Sequence, residues 1–186
     1  AMSQTVPPDL QARVVSPHQR VRFSAETNAL LRTRLQYAAL DIAIVLAISF
    51  VGNFLASSHE WLLLRSIVLG WVIAAYFLLK SGFRFDGFAL RAFEIALFGA
   101  VAIQLSLMMN GRLRFFAERG DATSVVGTQY LYFTAFCLHV LTYGIFMPNS
   151  WKRAAVVTTL IALIPYAVWF GTAAFHPEIG KLASTN

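Results

Sequence analysis

The chain has 186 residues, of which 58% are hydrophobic and only 13% charged, with a mean hydropathy of +0.61. A soluble domain carries about 25% charged residues, so the composition excludes an ordinary water-soluble globule. A net charge of +6 would suit a nucleic-acid binder, but these cations sit beside long uncharged runs. There they report topology and contact with anionic headgroups, and no nucleic-acid partner is expected.

Residues 1–22 are rich in Pro, Gln, Ser and Arg and read as a flexible tail. Ser24 is the expected cap of the first helix, with Glu26 favourably placed in its first turn. That helix starts amphipathic and turns apolar without a stop. Arg32 and Arg34 belong at headgroup level, and the first span is expected over residues 37–55. About 20 such residues cross the hydrocarbon at ~1.5 Å per residue.

Residues 57–60 (SSHE) form a turn. Trp61 opens a second span, 61–80, which closes on Lys80, so both ends carry interfacial anchors. The glycine-bounded turn SGFRFDG (81–87) leads to a third span, 88–109. Residues 110–127, NGRLRFFAERGDATSVVG, are the longest internal polar segment. Phe115 and Phe116 within it predict a short interfacial, amphipathic piece. A fourth span is expected over 128–147 and a fifth over 154–175, with 177–186 as a polar tail. The fold class is therefore all-α, a polytopic transmembrane helix bundle with five spans. The single Cys137 lies inside a span, so no intrachain disulfide can form.

Between spans four and five, an apolar run meets Pro148 and Asn149, then Trp151, Lys152 and Arg153. Helix breaker, aromatic, then cations describe a tight hairpin at a membrane surface. Pro165 interrupts span five, where it should kink the helix or face a packed interior. Ten cations fall on the side of this hairpin and the amino terminus, against five on the other. That bias places the amino terminus and the hairpin in the cytoplasm.

No nucleophile motif, phosphate loop or metal-ligand spacing occurs in the sequence, so no catalytic residue, cofactor or metal is expected. The informative residues are polar groups inside the spans, which are costly in lipid. Asp41, Glu94 and Tyr143 lie at similar depth from the hairpin side, with His139 one turn deeper than Tyr143. Arg91, Arg34 or Lys80 would supply countercharge. Three readings stay open: ordinary interhelical hydrogen bonds, a ligand- or proton-sensitive cluster, and a transport pathway. Gly70, Gly99, Gln104 and Ser106 read as close-packing and local bonding sites. Tyr130, Tyr132, Tyr166 and Trp169 lie toward the outer halves of spans four and five. They form either an aromatic belt or the wall of a pocket for a lipid-like or small-molecule ligand.

Two stretches, AETNALLRTRLQYAALDIAI (25–44) and YGIFMPNSWKRAAVV (143–157), resemble a known family. It is the multi-span membrane region preceding the catalytic domain of planctomycete-type bacterial receptor serine/threonine kinases and class III adenylate/guanylate cyclases. The resemblance covers about residues 23–176. It implies a bacterial inner-membrane location, a cytoplasmic amino terminus, six spans and a cytoplasmic effector domain. It also implies pairing of two chains, since such cyclases form their active site at a dimer interface. Five spans are present here, so the expectation is that a sixth span and the effector lie beyond this sequence. The function expected is a membrane-anchoring, dimerising, ligand-sensing input domain. The alternative is a small self-contained transporter or channel subunit.

Overall fold

Five long α-helices make up most of the computed structural model, which describes residues 17–55, 61–81, 83, 85–147, 151–177, 179 and 181. They are α1 (Pro17–Leu55), α2 (Leu62–Lys80), α3 (Gly87–Glu118), α4 (Ala122–Phe146) and α5 (Trp151–Phe175). Each is long and apolar enough to cross a membrane, and among the described residues there is no strand. In hydrocarbon every backbone donor and acceptor must be satisfied within its own segment, and the helix does this. The chain is a polytopic transmembrane helix bundle.

The helix α3 is the hub. It touches all four other helices, whereas α5 packs only on α3 and α4. Accordingly 44% of the central window of α3 is buried, against 11% for α5. Side chains such as Ile48, Leu63, Phe88 and Phe175 face outward, where lipid covers them. Lipid tails are as apolar as leucine, so close packing and polar contacts must hold the helices together. Packing is tightest between α1 and α2. Leu31, Leu35, Ala38 and Ile42 recur at helical spacing and meet Val68, Val72, Ala75 and Leu79, all buried. The alanines bring the two backbones close. Arg32 closes this pair by donating from Nε and Nη2 to the Leu79 carbonyl at 2.7 and 2.5 Å, satisfying a terminal acceptor of α2. Its role is thus more specific than the headgroup contact expected.

Several boundaries differ from the sequence reading. The helix α1 begins at Pro17, not Ser24, and proline suits a first helical position. Residues 110–118 do not form a separate interfacial piece. They continue α3, which at ~1.5 Å per residue is about 48 Å long and overshoots the hydrocarbon by a few turns. Three residues then reverse the chain. Gly120 takes φ 66°, and Asp121 caps α4 by accepting from the Ser124 amide at 3.0 Å. The arginines of this segment have local places: Arg114 donates to His176 Nε2 at 2.9 Å, and Arg119 lies 3.3 Å over the Phe115 ring. A Cβ at Gly70 or Gly99 would meet nothing within 4 Å, so neither is a close-packing site. Ser106 bonds the Ala102 carbonyl at 2.8 Å within its own helix.

Trp61 ties the start of α2 to α3. It holds φ 66° before α2, a conformation that costs a non-glycine residue roughly 1–2 kcal/mol. Its indole lies on Gly111 of α3, where any Cβ would collide with the ring. Gly111→Ala should therefore destabilise the bundle by about 1–3 kcal/mol, the usual range for overpacking, whereas Gly70→Ala should be neutral or mildly stabilising. Thermal unfolding in detergent micelles compares the two; equal effects would remove Trp61 as the reason.

Asp121 supplies a pH test. Its hydrogen bonds from Ser124 hold its carboxyl below the usual carboxylate range. A depressed folded-state pKa adds stability above the unfolded value, and that stability is lost as pH falls through the folded value. The melting-temperature gap between wild type and Asp121→Asn should therefore be full at pH 7 and shrink below about pH 4.

Candidate functional site: a buried glutamate joining three helices

Glu94 sits two turns into α3, about 10 Å from its start at ~1.5 Å per residue, and is 1% exposed. A carboxylate at such a place needs charge and hydrogen bonds around it. Three helices provide them. Tyr143 of α4 donates its hydroxyl to Oε1 at 2.7 Å, and Arg91 donates to Oε2 at 2.7 Å from one turn earlier on α3. Arg153 of α5 reaches both oxygens at 3.4 Å. The two guanidinium groups are partly exposed at 27% and 35%, so each bridges the buried acid and the membrane boundary.

The local sequence sets this geometry. Asp86 caps α3 by accepting from the Ala89 amide at 2.8 Å, which fixes the helix's start and therefore the depth of Glu94. The helix α4 ends at Phe146 and α5 begins at Trp151. Folding one back on the other sets Arg153, two residues into α5, level with Tyr143, three residues before the end of α4. The hairpin and the intramembrane polar layer are one assembly, because Arg153 belongs to both. Pro148 and Asn149 lie outside the described residues. Trp151 is exposed, with Lys152 Nζ 5.8 Å from its ring centroid, as befits headgroup anchors.

His139 stands one turn below Tyr143 on α4. Its Nε2 bonds the Phe98 carbonyl of α3 at 3.0 Å, so that nitrogen carries the proton. The Phe98 ring meets the Tyr143 ring edge-on at 5.0 Å. Glu94, Tyr143 and His139 thus stitch α3 to α4 along one seam. Asp41 is elsewhere: it lines a cavity among α1, α2, α3 and α4 that also touches His139 but not Glu94. Sequence spacing put Asp41, Glu94 and Tyr143 at one depth, yet depth alone does not say which helix faces turn together.

The outer aromatics divide similarly. Tyr132 lines the same cavity as Asp41. Tyr130 is exposed, Tyr166 meets Phe133 edge-on at 4.7 Å, and Trp169 packs into the far-end core with Met109 and Leu113. They form no common wall between α4 and α5. Pro165 is buried in α5, facing the bundle. Near it, α5 is held to α3 by Thr172 donating to Asn110 at 3.3 Å. Among the described residues no group of three His, Cys, Asp or Glu is placed to hold a metal.

No protein-family model, curated protein or solved structure matches the chain. Fold and site define its class: a multi-pass membrane helix bundle suited to anchoring or input, with a satisfied ionic cluster near one face.

The geometry ranks the partners of Glu94. Tyr143→Phe removes a short bond to a buried charge and should cost roughly 1.5–3 kcal/mol. Arg153→Gln removes a longer, partly exposed contact and should cost at most about 1 kcal/mol. Unfolding free energies in micelles or bicelles check the order; a larger loss from Arg153→Gln would make α5 the dominant partner.

Proposed function

We propose that this chain is the membrane-anchoring and input region of a bacterial signalling enzyme, a nucleotide cyclase or a receptor-type serine/threonine kinase. It would sit in the inner membrane as a homodimer with its amino terminus in the cytoplasm. The observation carrying this reading is the Glu94 cluster, which joins α3, α4 and α5 beside the α4–α5 hairpin. A passive anchor needs apolar length and nothing more. A region that transmits a signal needs helices whose relative position has a defined set of contacts that a ligand can bias. Arg153 provides such a contact: tilting α5 against α4 breaks or tightens its reach to Glu94 and moves the hairpin surface with it. The kinase and cyclase assignment and the pairing of two copies rest on the resemblance of residues 25–44 and 143–157.

A transporter or channel subunit is the second reading, favoured by the cavity between α1 and α4 with Asp41 and His139 at its wall. The two readings separate on output. The experiment measures effector activity in membranes for the full-length protein, comparing wild type, Arg153→Gln and a version whose membrane region is replaced by an unrelated dimerising span. The input reading expects altered basal or stimulated activity in both; unchanged activity in both leaves an anchor.

Topology has its own check. In a Cys137→Ser background, Asn149→Cys should resist an impermeant thiol reagent added outside intact cells and react once the membrane is opened. Labelling from outside reverses the proposed orientation.

A further inference from the structure

A cavity of about 510 Å³ lies between α1, α2, α3 and α4, running from Asp41, His139 and Thr142 toward the hairpin side to Arg65 and Arg112 at the far end. That volume falls in the range of roughly 300–1,000 Å³ typical of small-molecule sites. Its walls are mostly apolar, with Val45 and Leu46 on α1, Leu105 on α3 and Leu131 on α4. Val45 and Leu131 are also more than half exposed on the outside of the bundle, so the cavity opens sideways, toward lipid.

Its outer end is different. Arg65 of α2 and Arg112 of α3 both line it. Arg65 is 6% exposed, and its Nη1 donates to the Ser49 carbonyl and hydroxyl oxygens at 3.2 Å, while its Nε has no partner. The two ion pairs among the described residues both go to Glu94, so neither cation has a carboxylate partner there. Asp41 is the one carboxylate in the wall. Eight residues separate it from Ser49, about 12 Å along α1 at ~1.5 Å per residue, which places it at the opposite end. Gln104, 3% exposed, leaves its Oε1 unpartnered in the same lining. A buried guanidinium donor without an acceptor is costly, and a planar carboxylate is the group its fork fits best.

We propose that this cavity binds a single-chain anionic amphiphile, a fatty carboxylate. Its head group pairs with Arg65 and Arg112, and its chain lies in the apolar cleft between α1 and α4. The polar floor of Asp41, His139 and Thr142 ends the apolar wall and bounds the depth the chain reaches. Entry is lateral, from the leaflet at the end of the bundle where Arg65 and Arg112 lie. This deepens the input-domain reading by naming a ligand class, and it relocates the ligand from the α4–α5 aromatics to the α1–α4 cleft. Binding itself requires no effector domain.

The test uses the purified chain in nanodiscs of zwitterionic phosphatidylcholine. Laurate should bind saturably and raise the melting temperature. Dodecanol, with the same chain and no charge, should bind on the order of tenfold more weakly, as should laurate to Arg112→Gln, the factor expected for one lost charge-assisted hydrogen bond. Arg65→Gln should do the same if it folds; Arg112, only half-buried, keeps the test decisive if it does not. Ala135→Phe, which fills the cleft from α4, should abolish binding. Equal binding of laurate and dodecanol, or no effect of Arg112→Gln, overturns the proposal. So does displacement of laurate by phosphatidylglycerol at equal or lower concentration, which would make the site one for a leaflet phospholipid. Laurate binding with unchanged output of the full-length protein upholds the site and counts against the input reading. Absence of binding overturns the site whatever the output does.

Discussion

A carboxylate held 1% exposed within a membrane-spanning helix constrains everything near it. Removed from water, a carboxylate needs donors and cations to converge on it. The convergence here is specific: one hydroxyl from α4, one guanidinium from its own helix and one from α5. Apolar faces in lipid can rotate against each other at little cost, because neither side gains from leaving the solvent. The Glu94 contacts remove that freedom. They set the rotation of α4 about its axis, through Tyr143, and the depth of α5, through Arg153. Phe98 and His139 extend the same seam one turn deeper. The position of α3 at the centre of the bundle follows, since it carries the group that the others must reach.

Charged groups are matched differently along the bundle, although Trp71 Nε1, whose ring stacks on Phe93 beside Glu94, also has no partner. At the hairpin end Glu94, Tyr143, Arg153 and Arg32 all have partners at defined geometry. In the other half Arg65 Nε and Gln104 Oε1 have none, and the helices stand apart around a cavity. Local stability follows contact density and satisfied bonds, and the Glu94 contacts concentrate both where α3, α4 and α5 meet.

The spans were legible in the sequence because length and apolarity are one-dimensional properties. Five were expected and five are present among the described residues, with α4 ending at Phe146 and α5 beginning at Trp151. Contacts between helices were less legible. Glu94 and Tyr143 stood out as polar residues in apolar runs, but Arg153 was read only as a headgroup anchor. The turn geometry held the missing signal: positions equally far from a tight reversal face each other, which pairs 153 with 143. Asp41 shows the limit of the depth argument, because equal depth on separate helices leaves the rotation of each undetermined. The extension of α3 through residue 118 was masked by its charge. Arg112 and Arg114 made the segment look like a separate interfacial piece, although Gly120 and Asp121 already spelled a helix stop followed by a cap.

The spacing of Arg91 and Glu94, one turn apart on a single helix, has a consequence for how the protein enters the bilayer. Chains are threaded into membranes in order, and α3 must leave the insertion machinery before α4 and α5 exist to receive it. A lone glutamate would then face lipid with no partner, at a penalty of a few kcal/mol on insertion scales. Because Arg91 already holds Glu94 at 2.7 Å within the same turn, the helix can partition as a locally neutral dipole. Tyr143 and Arg153 arrive later and find the acid already desolvated and oriented. An arginine one turn away on the same helix is therefore the one partner of the three that Glu94 has without the rest of the bundle.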